Sequence, residues 1–300
     1  MSDDGRVFVT GGSGFIGSVV VRRFESAGQK CMVLDQVPPK DGSAEFRKID
    51  ICDLDQCVEA LQGAKRVVHL AGLVADGANK NPYLAVTVNI GGTANVLEAC
   101  ARVGAESLVY ASTFFVFENC GLDRVDEETT LDLTTMGPFA RSKFFCEQLA
   151  QDYAKKHELG SVGLRFGSVY GPGEGSNVIR TFVEQAVAGE EISVWGEGKR
   201  HRQFIHLDDV ADSVVKASGS KATGVLNIAG EAQTTTREVL EIVQESIPSV
   251  NVSFDPTKPE KVQPYRMSLE RAKREIGWTP QVGIKEGIEN TIDWFKQQSA

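Results

Sequence analysis

The sequence predicts an α/β fold, in which helices cover both faces of a doubly wound parallel sheet and a smaller C-terminal lobe lies beside it. Short β-branched runs alternate with longer amphipathic segments through the first half of the chain, as parallel strands alternate with crossover helices. A glycine-rich turn joins the first run to the first amphipathic segment. After residue 173 longer glycine-containing loops follow, so we expect a first domain over residues 1–171 and the smaller lobe over 172–300. Some later segments, at about 201–228, are expected to return to the first domain.

Hydrophobic periodicity gives the order of the elements. Strands are predicted where β-branched residues cluster, at residues 6–10, 31–34, 66–70, 108–112 and 162–165. Helices are predicted where apolar residues recur every three or four positions, at residues 15–27, 54–61, 83–103 and 138–157. The smaller lobe is predicted to add helices near residues 177–187, 208–217, 236–246, 268–276 and 284–297.

Composition and charge argue against several classes of binding partner. The chain has 300 residues, 41% of them hydrophobic, and a formal net charge of -9, so its overall field repels nucleic acid and anionic membranes. The six cysteines form no Cys-x-x-Cys pair and the four histidines form no ligand cluster with them, which argues against a metal site. Unpaired cysteines, no apolar leader and no apolar run near 18 residues lead us to expect a cytoplasmic protein.

A glycine motif follows the first predicted strand and opens the first helix. Thr10-Gly-Gly-Ser-Gly-Phe-Ile-Gly17 carries glycines at 11, 14 and 17, which suit a tight turn, close approach of backbone to a pyrophosphate, and close helix–strand packing. The second strand leads to Asp35, eighteen residues beyond Gly17, where a carboxylate can accept hydrogen bonds from an adenosine ribose. The same charge would repel a 2′-phosphate. The sequence therefore predicts a Rossmann-type fold that binds NAD rather than NADP.

Further motifs follow in a fixed order along the chain. They are Asp50-Ile-Cys-Asp53, His69-Leu-Ala-Gly72, Asn89-Ile-Gly-Gly-Thr-Ala-Asn95, Arg165-Phe-Gly-Ser-Val-Tyr-Gly-Pro172, Arg202-Gln-Phe-Ile-His-Leu-Asp-Asp-Val210 and Gly277-Trp-Thr-Pro280. With these motifs the sequence resembles the extended short-chain dehydrogenase/reductases, specifically the NAD-dependent epimerase/dehydratase family, which acts on nucleotide sugars. The resemblance runs nearly end to end.

The resemblance implies residues for both ligands. Those expected to bind NAD are Gly11, Gly14, Phe15, Ile16, Gly17, Asp35, Asp50, Ile51, Leu70, Ala71, Gly72, Asn89, Lys143, Phe166 and Val169. Those expected to bind the nucleotide sugar, a UDP-sugar, are Leu73, Thr113, Phe114, Ser168, Val178, Arg202 and Arg266. Arg202 and Arg266 are the candidates for its diphosphate, because a guanidinium can bind phosphate oxygens bidentately. The resemblance also implies a homodimer, formed by the helices that contain residues 89–100 and 139–153.

The catalytic residues that the resemblance implies are incomplete. Members of the family use a tyrosine, a lysine four residues later and a serine or threonine that ends strand five. Thr113 and Lys143 match, but the tyrosine position holds Phe139, which keeps the ring and loses the proton carrier. General acid–base catalysis contributes about 10²–10⁴-fold, so the barrier is expected to rise by about 3–5 kcal/mol.

Two explanations of Phe139 stay open. An engineered substitution would keep the pocket and stop turnover, and the retention of Thr113 and Lys143 favours it. Natural divergence would assign proton transfer to another residue or convert the protein into a binder. The phenylalanines at 114, 115 and 117, where the family commonly has smaller or hydroxylated residues, favour that second explanation.

Phe114 and Phe115 also favour one reaction of the family over another. Sugar 4,6-dehydratases of the family carry Asp-Glu directly after the threonine, where this chain has Phe114-Phe115. We therefore expect epimerisation, with oxidation at sugar C4, a ketone intermediate and re-reduction from the other face. A dehydratase, decarboxylase or dehydrogenase of the same family is the alternative. A non-catalytic protein that binds NAD or a nucleotide sugar is the alternative from another class.

Overall fold

A seven-stranded sheet, parallel throughout, forms the centre of the molecule in the computed structural model, which describes residues 5–40, 42, 44–173, 175, 177–260 and 265–298. The strand order is β12-β7-β5-β4-β1-β2-β3. These strands are β1 (Val7–Thr10), β2 (Cys31–Asp35), β3 (Glu45–Lys48), β4 (Arg66–His69), β5 (Ser107–Thr113), β7 (Gly160–Phe166) and β12 (Gly224–Ile228). The order reverses beside β1, so the ends of β1 and β4 form the crevice in which such sheets bind ligands.

Shorter strands pair outside this sheet. They are β6 (Arg124–Val125), β8 (Ser168–Tyr170), β9 (Ile192–Trp195), β10 (His201–Arg202), β11 (Phe204–His206), β13 (Thr234–Thr235), β14 (Val252–Asp255) and β15 (Arg266–Met267). Their pairs are β8 with β11, β9 with β14, β10 with β13 and β6 with β15.

Helices cover both faces of the sheet. They are α1 (Phe15–Ser26), α2 (Leu54–Ala60), α3 (Ala75–Lys80), α4 (Pro82–Leu84), α5 (Gly92–Val103), α6 (Pro138–His157), α7 (Val178–Ala188), α8 (Leu207–Ser218), α9 (Thr236–Ser246), α10 (Glu270–Ile276) and α11 (Ile284–Gln298). A π-helical segment, Ala85–Gly91, joins α4 to α5, and a 3₁₀ turn, Phe114–Phe117, follows β5.

Every strand and helix predicted from periodicity is present, with bounds that differ by a few residues. The helix predicted over 83–103 is interrupted by the π-helical segment. The strand Glu45–Lys48 was not predicted, because its side chains are mostly exposed and charged and leave no apolar alternation. The stretch Pro82–Val103 is long and apolar enough to cross a membrane by length and composition alone. It packs here against α2 and α6, so its apolar residues belong to the core and to one exposed face.

Two apolar clusters lie on opposite faces of the sheet. One contains Phe24 of α1, Val214 of α8 and Trp278, and the other contains Leu97 of α5 and Tyr110 of β5. Strand residues alternate between the clusters because successive side chains of a strand point to opposite faces. A third cluster joins α7, α9 and α11 and forms the core of the C-terminal lobe.

Two C-terminal segments lie with the first half of the chain. The strand β12 pairs with β7 at the edge of the main sheet, and α8 packs against α1. The chain therefore passes between the main sheet and the C-terminal lobe more than once.

A buried ion pair fastens α6 to the sheet. Arg165 of β7 donates to both carboxylate oxygens of Glu147, at 2.9 and 2.8 Å, and the Ser112 hydroxyl of β5 donates to the same carboxylate at 2.5 Å. Ser112 and Arg165 are neighbours in the β5–β7 register, and the charged side chains are at most 4% exposed. Glu147 lies one helical turn after Lys143, which lies one turn after Phe139, so the pair fixes the helix face that carries both.

Removal of one partner of this pair is expected to destabilise the protein strongly. Arg165→Met leaves a buried carboxylate uncompensated, and we expect a loss of about 3–5 kcal/mol in the free energy of unfolding, measured by urea denaturation. The double variant Glu147→Gln/Arg165→Met is expected to lose less. Lys285→Met, which breaks the exposed Lys285–Glu245 pair, is the control, with an expected loss of about 0–1 kcal/mol. A loss below about 1 kcal/mol for Arg165→Met would contradict the assignment.

Candidate active site

The glycine turn between β1 and α1 is closed to side chains. Gly11 has φ of +71°, and a Cβ atom there would lie 2.5 Å from the backbone nitrogen of Ala71, which follows β4. A Cβ atom on Gly17 would lie 2.0 Å from the Gly11 carbonyl oxygen. The glycine turn therefore contacts both the loop after β4 and the first turn of α1 through backbone atoms. The Leu70 N–H donates to the Thr10 carbonyl, which holds the loop after β4 against the turn.

The N-terminus of α1 is open toward this turn. Gly14 is its N-cap residue and makes no side-chain capping bond, and the first turn contains no acidic residue. Its unpaired N–H groups and the positive end of the helix dipole favour an anion. Phe15 begins the helix and lies against the loop after β8, where a Cβ atom on Gly175 would be 2.6 Å from its ring. Ile16 packs against the apolar cluster below.

Asp35 ends β2 beside the same turn. Its carboxylate accepts hydrogen bonds from the backbone N–H groups of Ser13 (3.1 Å) and Gln36 (2.7 Å). These bonds fix the carboxylate at the mouth of the glycine turn, and the residue remains partly exposed. A dinucleotide fits this arrangement, because the backbone cradle admits a pyrophosphate and the carboxylate can accept from ribose hydroxyls.

The segment that contains Asp50 and Ile51 packs against α5. The Asp50 carboxylate accepts the Cys52 N–H at 2.9 Å, which closes a local turn. Ile51 packs on Gly92 of α5, where a Cβ atom would lie 2.5 Å from its Cδ1, and its carbonyl accepts from the Asn95 amide. The turn that contains Asp50 and Ile51, both expected to bind NAD, is thus attached to α5.

His69 ends β4 in the interior. Its two ring nitrogens lie 2.7 Å from the Thr10 hydroxyl and 3.0 Å from the Thr93 hydroxyl. Burial, together with the nearby Lys143 charge, lowers the pKa of His69 to about 3. A neutral histidine therefore ties β1, β4 and α5 together beneath the loop 70–73.

Asn89 holds the loop that follows β4. Its side-chain oxygen accepts the Leu73 N–H at 2.8 Å, and its side-chain nitrogen donates to the Leu73 carbonyl and to the Ser142 hydroxyl. A Cβ atom on Gly72 would lie 3.0 Å from the Asn89 side-chain oxygen and 3.5 Å from Lys143 Nζ. The polar atoms of Asn89 are thus used to position the loop beside the lysine.

Thr113 and Lys143 lie at the same end of the sheet. Thr113 is the last residue of β5, is buried, and its hydroxyl oxygen accepts the Phe115 N–H at 3.2 Å. Lys143 reaches from α6 to donate to the carbonyl of Ala111, two residues before Thr113, at 3.1 Å. Burial lowers the pKa of Lys143. The structure therefore brings the predicted threonine and lysine to one strand end.

Phe139 sits in an apolar cluster in place of the expected phenol. It packs with Leu73, Ala78 and Ala85, and it meets the Phe115 ring edge-to-face at 5.9 Å between centroids. Its side chain is 9% exposed. The ring is therefore packed among apolar side chains, one helical turn before Lys143, and carries no group that donates or accepts a proton.

Arg202 lies over aromatic rings. Its guanidinium carbon is 5.4 Å from the Phe114 ring centroid and 6.0 Å from that of Phe115, both cation–π distances. The small cavity beside it is lined by Phe114, Gly167, His201, Arg202, Gln203, Gln233, Tyr265 and Met267. The Tyr265 hydroxyl donates to the Phe114 carbonyl at 3.1 Å and fixes the 3₁₀ turn.

The remaining predicted residues lie on β7, β8, α7 and β15. Phe166 is Thr113's partner in the β5–β7 register and is buried in the core. The Ser168 N–H donates to the Gln203 carbonyl, while the Val169 carbonyl accepts from Asn177, the residue that caps α7 at Val178. Arg266 is exposed and donates to the Glu231 carbonyl at 2.7 Å.

The sequence prediction missed the residues that hold the site in place. Glu147 and Arg165 form a buried ion pair one helical turn from Lys143, Ser112 donates to the same carboxylate, and Tyr265 supports Phe114 from a distant part of the chain. A carboxylate at position i+4 from Lys143, on the buried helix face, is the one signal in the sequence that indicated a structural role for Glu147.

The comparisons with known proteins agree with this geometry. Residues 7–229 match the model of the NAD dependent epimerase/dehydratase family. A UDP-glucose 4-epimerase of Mycolicibacterium smegmatis is 28% identical over 98% of this chain and 99% of its own length. The solved UDP-glucose 4-epimerase of Thermus thermophilus with NAD is 30% identical, with a TM-score of 0.83 over 97% of this chain and 99% of that one. The solved complex of MoeE5 with UDP-glucose and NAD is 27% identical, with a TM-score of 0.90 over 99% and 100%.

The parallel sheet, the glycine turn and the strand-end lysine define a Rossmann-type protein of the short-chain dehydrogenase/reductase class. The chain belongs to the NAD dependent epimerase/dehydratase family. That family comprises NAD-dependent enzymes, and the relatives of this chain include nucleotide-sugar epimerases, dehydratases and decarboxylases. The predicted fold class and family are therefore confirmed.

The neutral state of His69 is expected to make stability depend on pH. The folded pKa is about 3 and the ordinary value is 6.5, so the unfolded chain binds more protons between these values and stability falls as pH falls. We expect the stability advantage of the wild type over His69→Gln to shrink by roughly 3 kcal/mol from about pH 7 to about pH 4. Urea denaturation at both pH values measures it. A constant difference would contradict a neutral buried His69.

Proposed function

We propose that this chain is an NAD-dependent epimerase of a nucleotide-linked sugar, acting by oxidation at sugar C4 and re-reduction of the ketone from the other face. The observation that carries the proposal is that Thr113 ends β5 while Lys143 bonds to the Ala111 carbonyl of the same strand, with its Nζ 3.5 Å from where a Cβ atom on Gly72 would lie. Both bound NAD and the sugar are expected to reach this end of β5, so the reaction would take place there.

The relatives support a UDP-sugar as substrate. MoeE5 binds UDP-glucose and NAD, and a 4-epimerase of Thermotoga maritima binds UDP-glucose. Phe114 and Phe115 follow Thr113 in this chain, so no carboxylate stands there to assist loss of water, which favours epimerisation over dehydration.

Each residue has a proposed part in the reaction. Bound NAD would take up the hydride from C4 and give it back. The backbone cradle at Gly11, Gly14 and Gly17 would hold the pyrophosphate, and Asp35 the adenosine ribose. The Thr113 hydroxyl would orient the reacting oxygen, and Arg202 would bind the substrate's diphosphate. Phe139 supplies apolar contact alone, so turnover is expected to be slow.

The rigid packing of Phe139 also favours a second candidate, a protein that binds NAD and a nucleotide sugar without turning them over. The ring occupies the proton carrier's position and is held by Phe115 and Leu73.

Restoring the phenol separates the two candidates. Phe139→Tyr places a hydroxyl one turn before Lys143, and we expect epimerase activity on a panel of UDP-sugars to rise by about 10²–10⁴-fold. Chromatography of the products with mass spectrometry measures conversion, and calorimetry measures NAD binding.

Phe254→Tyr is the control, because Phe254 is exposed on β14, an element that carries none of the proposed site residues. No conversion by the Phe139→Tyr variant, although it binds NAD, would contradict an epimerase and support the binding protein.

We further propose a homodimer in the cytoplasm. Tyr83, Val86 and Phe145 are large apolar residues that are 73%, 55% and 49% exposed, and they lie on the neighbouring segments 82–91 and α6. A second copy would cover this face. The six cysteines are all free, which suits a reducing compartment.

A charge on this face is expected to dissociate the dimer. Phe145→Glu places a carboxylate in the apolar contact, and the dimer dissociation constant is expected to rise at least about tenfold, measured by sedimentation velocity. Phe254→Glu, at an exposed site on β14, is the control. A wild-type chain that sediments as a monomer would refute the dimer.

A further inference from the structure

Three phenylalanine rings and a guanidinium form a continuous row beside the end of β5. The Phe139 and Phe115 rings meet edge-to-face at 5.9 Å between centroids, and the Phe115 and Phe114 centroids lie 4.3 Å apart. The Arg202 guanidinium carbon lies 6.0 Å from the Phe115 centroid and 5.4 Å from that of Phe114. Phe115 therefore lies between the ring of Phe139 and the charge of Arg202. We call these four residues the aromatic row.

Phe115 is the ring of the aromatic row that offers surface to a ligand. Phe114 and Phe139 are buried, at 8% and 9% exposure, whereas Phe115 is partly exposed. The backbone N–H of Phe115 donates to the hydroxyl oxygen of Thr113, so its backbone is tied to the residue proposed to orient the reacting oxygen. Packing in the core therefore accounts for Phe114 and Phe139 but leaves part of Phe115 uncovered.

The two ends of the aromatic row coincide with the two ends of the proposed substrate. Phe139 precedes Lys143 by one helical turn, on the side where C4 of the sugar is proposed to react. Arg202 is proposed to bind the diphosphate, which is attached to C1. A hexose that reacts at C4 while its diphosphate contacts Arg202 therefore passes along Phe115.

The chemistry of a pyranose decides which of its edges suits this surface. Two edges join C1 to C4: one carries the hydroxyls of C2 and C3, and the other carries the ring oxygen and the exocyclic carbon C6. A phenyl ring has no donor or acceptor, so a hydroxyl held against it would lose its hydrogen bonds to water without gaining a partner. The edge with C6 therefore fits the ring better, and it fits best when C6 is a methyl group.

Two polar side chains beside the aromatic row already have partners. The Tyr265 hydroxyl donates to the Phe114 carbonyl at 3.1 Å. The Asn79 side-chain oxygen accepts the Phe139 N–H at 3.1 Å. Both groups fix the backbone that carries the rings, which leaves the apolar surface as the feature that a sugar meets along the row.

We propose that the substrate is a UDP-linked 6-deoxyhexose and that Phe115 selects it by packing its ring against the C6 methyl group. The inference rests on the proposed epimerase function of the same site. A hexose with a C6 hydroxyl would hold that hydroxyl against the ring. A pentose would leave the space of the methyl group empty and forgo the burial of its apolar surface.

Equilibrium binding to the NAD-loaded wild-type protein tests the selection without turnover. UDP-6-deoxyglucose, UDP-glucose and UDP-xylose differ only in the group on C5, which is a methyl, a hydroxymethyl or a hydrogen. By calorimetry we expect UDP-6-deoxyglucose to bind at least about tenfold more tightly than UDP-glucose, because the extra hydroxyl loses its water partners. We expect it to bind at least about threefold more tightly than UDP-xylose, because the methyl group is buried.

Substitutions of Phe115 assign the selection to its ring. Phe115→Thr removes the ring and supplies a hydroxyl, so we expect the preference for UDP-6-deoxyglucose over UDP-glucose to fall below about threefold. Phe115→Leu keeps an apolar side chain and is expected to retain a preference of at least about fivefold. Phe254→Thr, at an exposed site on β14, is the control and is expected to keep the wild-type ratio. An NAD affinity within about threefold of wild type shows that each variant is folded.

The outcomes distinguish the inference from the proposed function. Equal affinity of the wild type for UDP-6-deoxyglucose and UDP-glucose, or tighter binding of UDP-glucose, would overturn the substrate class, while conversion of a UDP-sugar by Phe139→Tyr would leave the epimerase standing. A preference that is unchanged in Phe115→Thr would overturn the part of Phe115. Selective binding of UDP-6-deoxyglucose without conversion by Phe139→Tyr would overturn the epimerase and support the ligand class for a binding protein. No binding of any of the three ligands would overturn both.

Discussion

The buried contact between Glu147 and Arg165 is the interaction on which the site depends. It joins α6 to the centre of the sheet where apolar contacts alone would allow the helix to slide or turn. Phe139, Lys143 and Glu147 are spaced by four residues, so fixing the last one orients the other two. The geometry at the strand end therefore follows from an ion pair that contacts no ligand.

A second constraint acts on the other side of the crevice. Backbone atoms of the glycine turn and of the loop after β4 approach so closely that side chains are excluded at Gly11 and Gly17. This close packing leaves the N–H groups of α1 facing outward, beside the carboxylate of Asp35. The part of this crevice that suits a dinucleotide is thus formed by backbone atoms and does not depend on the residue at position 139.

The aromatic residues of the site change its chemistry more than its shape. Phe114, Phe115 and Phe139 surround the strand end with rings, and Arg202 lies against two of them. Burial at this strand end lowers the pKa of Lys143, because a charged amine is poorly solvated there.

The sequence by itself determined the alternation of strands and helices, the glycine turn with Asp35, the position of Thr113 at the end of β5 and that of Lys143 on α6. These are encoded locally, by periodicity of apolar residues and by motifs whose spacing is short. Only the tertiary structure decided the pairing of Glu147 with Arg165, the π-helical segment that contains Asn89, and the packing of Phe139. Such features depend on contacts between residues distant in the chain, and no local pattern specifies which buried polar group will meet which partner.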